Sequence, residues 1–279
     1  MIRAIVACFA TFILASADAH DAPGAHVRHV ANAGVMVVNG DSKLMFDPLF
    51  ENTFDTYDAI PPDMRAAIVA GDAPWDDVDE IFISHYHEDH FDPAAIIQLM
   101  EQQSAVQIYG PGQAMNALLD LLGDDAEPST RARIHSIDLG LGDPAESIRN
   151  GSMSIDAIRL PHAGWPARHK DVENIVFRVT LEEDLTVMHF GDAGTADEHF
   201  GVQPGFWSRR RPDLALPPYW FFLNDEGRRI LATRIKARQT ISVHVPAEVP
   251  DEPARRPEAL RDVDVFTRPG DVRTIELAE

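Results

Sequence analysis

The segment SHYHEDHFDP, residues 84–93, packs three histidines and two acidic side chains into the six positions from His85 to His90. It follows directly on the apolar run Val78–Ile83, which reads as a short strand. It precedes Pro93–Gln103, which reads as a helix. There Asp92 can cap the N-terminus, Pro93 suits the first turn, and Ile96, Ile97 and Met100 form an apolar face. With 12 histidines and 45 acidic residues in 279 positions, the pattern His-x-His-x-acid-His should arise by chance about four times in a thousand such chains. Clustered imidazoles beside a carboxylate suit Zn²⁺ or Fe²⁺, which take nitrogen and oxygen ligands at about 2.0–2.2 Å. Four such groups within six residues fit poorly around one tetrahedral ion. Two neighbouring ions are the natural solution, and each then needs ligands from elsewhere.

Candidates stand at the ends of other β-like runs. His162 follows Ile155–Leu160 in AIRLPHAGW, Asp192 follows Leu185–Phe190 in TVMHFGDAG, and His244 lies in TISVHVP. Taken singly, His162 could be a loop histidine, Asp192 a turn residue and His244 a core imidazole; their shared placement raises them together. Asp47, beside Pro48, is a candidate for hydrogen-bonding a ligand histidine, with turn capping as its alternative. His135 reads as a strand residue, His169 and His199 as exposed, and His189 as able to face either way, so none of these is assigned. In LPPYWFFLN, residues 216–224, Phe221 and Phe222 read as core, while Tyr219 and Trp220 are open to a pocket role.

The rest of the chain supplies a largely β framework. Val27–Val38 and Lys43–Phe46 flank Asn39-Gly40, a favoured hairpin turn. Further strands are expected over Val106–Tyr109, Arg133–Ile137, Met153–Leu160, Asn174–Leu181, Leu185–Phe190 and Thr240–Val245, with helices over Gln113–Leu122 and Glu226–Ala237. Strands with interspersed helices fit two packed sheets with helices outside. At the start, Arg3, the apolar run Ala4–Ala15 and the small residues Ala15–Ala19 read as a secretory signal over residues 1–19. The remainder, 20–279, is expected to form one catalytic domain, exported to the periplasm or beyond. The single cysteine, Cys8, lies in that leader, so any metal site must be built from His, Asp and Glu. No other run approaches the ~20 apolar residues of a membrane span. The formal charge of −21, from 24 basic and 45 acidic residues, argues against a nucleic-acid partner and for a small-molecule substrate.

With these residues set out, the sequence resembles the metallo-β-lactamase superfamily through His85-x-His87-x-Asp89-His90, His162, Asp192 and His244. NAGVMVVNGDSKLMFDPLF is similar to that family's opening hairpin, and HFGDAG to its bridging-aspartate strand. Within the superfamily, LMFDPLF, DLALPPYW and the late histidine before Pro246 look most like the branch of ascorbate-phosphate lactonase-like and N-acyl-ethanolamine phospholipase D-like hydrolases. The resemblance implies an α/β, four-layered αββα sandwich. It implies one ion on His85, His87 and His162, a second on Asp89, His90 and His244, and Asp192 bridging both. The ions would be zinc, with manganese or iron as alternatives. The expected activity is hydrolysis of an ester, lactone, amide or phosphodiester of a small molecule by a metal-bridging hydroxide that Asp89 orients. The competing readings are a mono-iron oxidative enzyme such as a sulfur dioxygenase, using His85, His87, His162 and Asp192, an exported β-lactamase, and a metal- or solute-binding protein without turnover. An aspartate at position 192 counts against the β-lactamase.

Overall fold

A computed structural model describes residues 24–182 and 184–277; the expected leader, with Cys8, lies outside these. Two β-sheets face each other. The first opens with β1 (His26–Ala31), β2 (Gly34–Asn39) and β3 (Ser42–Phe46), an antiparallel meander. It continues in parallel through β4 (Glu80–Phe82), β5 (Gln107–Pro111) and β6 (Ile134–Ile137). The helices α1 (Pro62–Ala70), α2 (Pro93–Gln102) and α3 (Gly112–Leu122), then the single turn α4 (Pro128–Arg131), make the crossovers that parallel pairing requires. The second sheet holds the antiparallel strands β7 (Glu146–Asn150), β8 (Met153–Arg159), β9 (Ile175–Leu181) and β10 (Leu185–His189). After α5 (Asp197–Gly201) and α6 (Pro204–Arg209), β11 (Leu214–Leu216) adds in parallel. A 3₁₀ turn, Tyr219–Phe222, leads to α7 (Asp225–Ile230), which widens into a π-helical turn, Leu231–Ile235. The short β12 (Gln239–Thr240) closes this sheet, and β13 (Val272–Thr274) returns to pair with β1.

Side-chain alternation explains the layering. Along β2, Val35 and Val37 point into the space between the sheets with Leu44, Phe46, Phe82, Ile155, Phe177, Val179 and Val187. Met36 and Val38 point the other way, onto Ile68, Ile96, Leu99, Met100, Met115 and Leu118 of the first three helices. On the far side, Ile158, Val176, Met188 and Ala215 turn outward onto Phe200, Phe206, Trp207, Phe221 and Ile230. Sheets covered on both faces carry near-continuous apolar strands, as GVMVVN does here. The result is the expected αββα sandwich.

One large polar side chain is buried among these layers. Arg178 on β9 is 1% exposed. Its Nη2 and Nε donate to Asp156 Oδ2 at 2.7 and 3.1 Å, Nη1 donates to the Phe206 carbonyl, and the guanidinium lies 4.4 Å over the Phe206 ring. A charge removed from water persists only when every donor is so answered.

Two expectations need correction. Val27–Val38 is not one strand: Asn32 adopts a left-handed φ of 49° and turns the chain between β1 and β2, a conformation asparagine tolerates better than most residues. The expected strand Thr240–Val245 is mostly irregular. Only Gln239–Thr240 forms a ladder, Ser242 and Val243 make isolated bridges, and His244 turns to a φ of 56°. Helix α1 escaped the sequence reading because its apolar face is narrow, with Ile68 its one fully buried residue. Helix α2 follows it closely: Asp92 Oδ1 accepts from the amides of Ala94 and Ala95.

Candidate metal centre

The parallel strands of the first sheet all end on one edge, and β4 runs there into the loop of residues 83–92. His90 and Phe91 donate their amides to the His87 carbonyl at 2.9 Å, and the Asp92 amide bonds the Leu49 carbonyl. These bonds coil the segment tightly enough to aim its side chains at one point. From the second sheet, β8 ends just before His162 and β10 just before Asp192; an isolated bridge pairs His162 with Ala193. His244 arrives from the late irregular segment, its amide donated to the Asn32 carbonyl at 3.0 Å.

All seven sequence-selected residues meet there. Their donor atoms fall into three groups, each within 4.8 Å: His85, His87 and His162; His85, His90 and Asp192; Asp89, His90 and His244. In the first, His85 Nε2 lies 3.1 Å from His87 Nδ1, and His162 Nε2 lies 3.3 Å from Asp192 Oδ2. On the other side, His90 Nε2 and His244 Nε2 are 3.0 Å apart, and each is 3.2 Å from Asp192 Oδ1. Asp89 Oδ2 lies 3.3 Å from His244 Nε2 and 3.7 Å from His90 Nε2. The two oxygens of Asp192 thus serve different halves of the cluster.

Whether these side chains suit a divalent cation can be judged from that spacing. Tetrahedral ligation at about 2.0–2.1 Å places ligand atoms about 3.3–3.4 Å from one another. His90, His244, Asp89 and Asp192 show separations of 3.0–3.7 Å. Buried His162 Nε2 and Asp192 Oδ1 make no hydrogen bond, although burial without one is costly. Facing imidazole nitrogens and one orphaned carboxylate oxygen suit a cation between them.

Outer contacts hold the ligating atoms in place. Asp47 accepts at Oδ2 from His90 Nδ1 at 2.8 Å and from Ser84 Oγ at 2.6 Å, and at Oδ1 from the Ser84 amide at 2.7 Å. Ser84 Oγ also lies 3.0 Å from His85 Nδ1. His162 Nδ1 donates to the Ala163 carbonyl at 2.8 Å. A proton fixed on Nδ1 leaves the Nε2 lone pair of His90 and His162 turned inward. Asn174 Oδ1 accepts the Asp192 amide at 2.8 Å while its Nδ2 donates to the Phe190 carbonyl. Asn32 Nδ2 donates to the Asp89 carbonyl at 2.9 Å. His189, buried within its strand, donates from Nε2 to the Ala33 carbonyl and accepts the Gly191 amide at Nδ1.

Electrostatics divide the imidazoles. Burial pushes His85 well below its usual range and His87 down to about 4, helped by neighbouring histidines, so both are neutral at pH 7. Burial acts in the same direction on His90, but the Asp192 and Asp89 carboxylates outweigh it and raise it well above the usual range; a cation ligated at Nε2 would take the place of that second proton. Burial would raise Asp192 and Asp89. His244 and His90 instead hold Asp192 well down, and His90 with His244 lowers Asp89.

Aromatic rings wall the His244 side. Tyr57 meets His244 edge-on at 4.2 Å between centroids, and Trp220 packs at 5.2 Å with its Nε1 donating to the Ala193 carbonyl. Trp220 thus borders the His244 side of the cluster while also packing against the outer core, whereas Tyr219 packs with Val245, Val249 and Leu260. Phe221 is core and Phe222 half-buried. His135 lies on β6 against Tyr109, and Trp165 covers the half-buried His199. The exposed His169 meets His87 edge-on and lies tilted against His162. Sequence reading missed Tyr57, Asn32, Asn174 and this His169. Only Ser84, adjoining the motif, carried a usable signal.

The family described as "Beta-lactamase superfamily domain" matches residues 27–204, more than half of the chain. A Polaromonas protein named "UPF0173 metal-dependent hydrolase" is 24% identical over 258 residues, covering 88% of this chain and 86% of that protein. Among solved structures, an isothiocyanate hydrolase from Delia radicum gut bacteria superposes with a TM-score of 0.60 at 13% identity, over 91% of this chain and 100% of that one. A metallo hydrolase from the archaeon Ignicoccus hospitalis gives 0.56 at 14% identity, over 90% and 98%. At such identities the structural likeness speaks for the fold alone.

Proposed function

The chain belongs to the metallo-β-lactamase superfamily, and from that premise we propose that it is a metal-dependent hydrolase of small molecules built around two divalent cations, zinc in the first instance. The observation that carries this reading is the division of Asp192, with Oδ2 facing His162 and Oδ1 facing His90 and His244. A carboxylate whose two oxygens face different sets of imidazoles suits a pair of neighbouring cations better than a single ion. His85, His87 and His162 would hold one cation and Asp89, His90 and His244 the other, with Asp192 shared. Bound there, the pair would supply Lewis acidity, making a water attack at neutral pH and polarising the carbonyl or phosphoryl oxygen of the substrate.

The remaining work falls to the chain itself. Asp89 can orient the attacking water by accepting a hydrogen bond from it on its carboxylate. Asp47 and Ser84 keep the His90 and His85 rings from turning. Tyr57 and Trp220 give an apolar wall that excludes water from the His244 side. Ester, lactone, amide and phosphodiester bonds all suit such a centre. The same likeness that supports hydrolysis brings in a relative named as a metal-dependent hydrolase.

Elemental analysis of the purified protein, paired with a panel of these four bond classes, tests the reading. The expected result is about two zinc ions per chain, with His87→Ala and Asp192→Ala losing metal and turnover while circular dichroism is retained. Full activity in metal-stripped protein, or one iron per chain with oxygen consumption, would remove it.

A further inference from the structure

Resting on the metal-hydrolase reading above, we infer that His169 and Arg168 form a substrate-contacting lip over this centre and select small substrates carrying an anionic oxygen beside the scissile bond. The His169 ring lies 4.4 Å from His162 and 5.1 Å from His87, centroid to centroid. It stands over the open side of the first histidine group, yet it belongs to none of the three sets of converging donor atoms. Neither ring nitrogen makes a hydrogen bond among the described residues, so both are available to a ligand.

The loop pays a conformational cost to keep that ring in place. His169 has a left-handed φ of 57°, a backbone state that a residue with a Cβ adopts only when its surroundings impose it. Short-range bonds impose it: the Trp165 amide donates to the His162 carbonyl, the Arg168 amide to Gly164, and the Val172 amide to His169. Gly164, itself at a φ of 90°, has no side chain to obstruct the notch. A Cβ there would lie 3.4 Å from Arg168 Nε and 3.5 Å from His169 Cδ2, so both side chains pack side by side against this glycine.

Charge supplies the second, independent argument. In a chain of net charge −21, Arg178 pairs with Asp156, Arg234 with Asp197 and the more exposed Arg238 with Asp213, while the buried Arg256 and half-buried Arg133 are answered by main-chain carbonyls. Arg168 has no carboxylate within ion-pair distance among the described residues, and neither has Lys170. A planar guanidinium without a partner, beside an imidazole donor and next to a cation-binding cluster, is a fork for a carboxylate or phosphoryl oxygen. The opposite wall, Tyr57 and Trp220, is aromatic. The substrate's anionic end therefore belongs on the His162 side and its apolar part on the His244 side.

Calorimetric titration of the zinc-loaded full chain with inorganic phosphate, and separately with acetate, tests this alongside a zinc count on each protein. Removing one charge-assisted hydrogen bond should weaken anion binding about tenfold in His169→Ala and in Arg168→Ala, with zinc per chain unchanged from wild type. A loss seen with phosphate alone marks a phosphoryl substrate; a loss with acetate as well marks a carboxylate. Equal affinities in all three zinc-loaded proteins, or no anion binding by zinc-loaded wild type, overturn the inference and leave the metal centre standing. Failure of wild type to take up zinc at all sinks the metal centre and the lip with it.

Discussion

His90 Nδ1 lies 2.8 Å from Asp47 Oδ2, and this one bond decides which nitrogen of a buried imidazole faces the cluster. Asp47 sits outside the ring of donor atoms, at a φ of 42° and fully buried, and it serves Ser84 as well as His90. Asp47→Asn keeps the shape but removes the charge that makes the imidazole a better donor to a cation. Zinc affinity should fall about 10–100-fold. Competition with a chromophoric chelator measures it; an unchanged affinity would show that Asp47 only caps its turn.

Gly191 is the tightest point behind Asp192. Its φ is 51°, and a Cβ would lie 2.4 Å from Asn174 Oδ1 and 2.6 Å from Ser84 Cβ. Both neighbours position the centre, so neither can yield without moving Asp192 or His85. Gly191→Ala should cost about 2–4 kcal/mol of stability and lower zinc stoichiometry in the protein that still folds. Urea unfolding with a zinc count reads both.

Glu80 makes stability depend on pH. It is 3% exposed on β4, with Asn150 Nδ2 donating to Oε1 at 2.8 Å and Oε2 without a hydrogen bond. Burial, then repulsion from Asp79, pushes its carboxyl up to about 7. The folded protein therefore holds a proton that the unfolded chain releases near pH 4.5. This group's contribution is fully present below that value and is lost as pH rises through 7. Glu80→Gln should unfold like wild type at pH 4 and be more stable by about 1–3 kcal/mol at pH 8. Equal stability at pH 8 would mean that water reaches the carboxylate.

The ligand-type residues are legible in the sequence because four of them fall within six positions after β4, and His162 and Asp192 follow strands whose apolar pattern is plain; His244 lies in an irregular segment and is marked only by the apolar residues around it. What holds them is far less so. Asn174, Asn32 and His189 each act through hydrogen bonds that include main chain remote in sequence, and polar residues in or beside strands carry no local mark of such a partner. His169 reads as solvated because its neighbours are Arg168 and Lys170, yet a left-handed backbone turns its ring back onto His162. The helix Pro62–Ala70 is hidden for a different reason: docking against α2 sustains it, with almost no amphipathic stripe of its own.

Asn32 gives the sharpest test of how the opening hairpin reaches the centre. Its left-handed backbone makes the β1–β2 turn, its carbonyl accepts the His244 amide, and its Nδ2 donates to the Asp89 carbonyl. Two substitutions separate these roles. Asn32→Gly keeps the turn at no steric cost and removes only the side-chain bond, so a loss of about 1 kcal/mol is expected, together with weaker binding of one zinc ion of the two. Asn32→Ala removes the same bond and leaves in the left-handed region a side chain that lacks asparagine's local hydrogen bonding, adding about 1 kcal/mol. The two variants should therefore share one zinc-binding defect and differ in melting temperature. Identical melting temperatures would show that the turn relaxes freely. Intact binding of both zinc ions in both variants would show that Asp89 is held without Asn32.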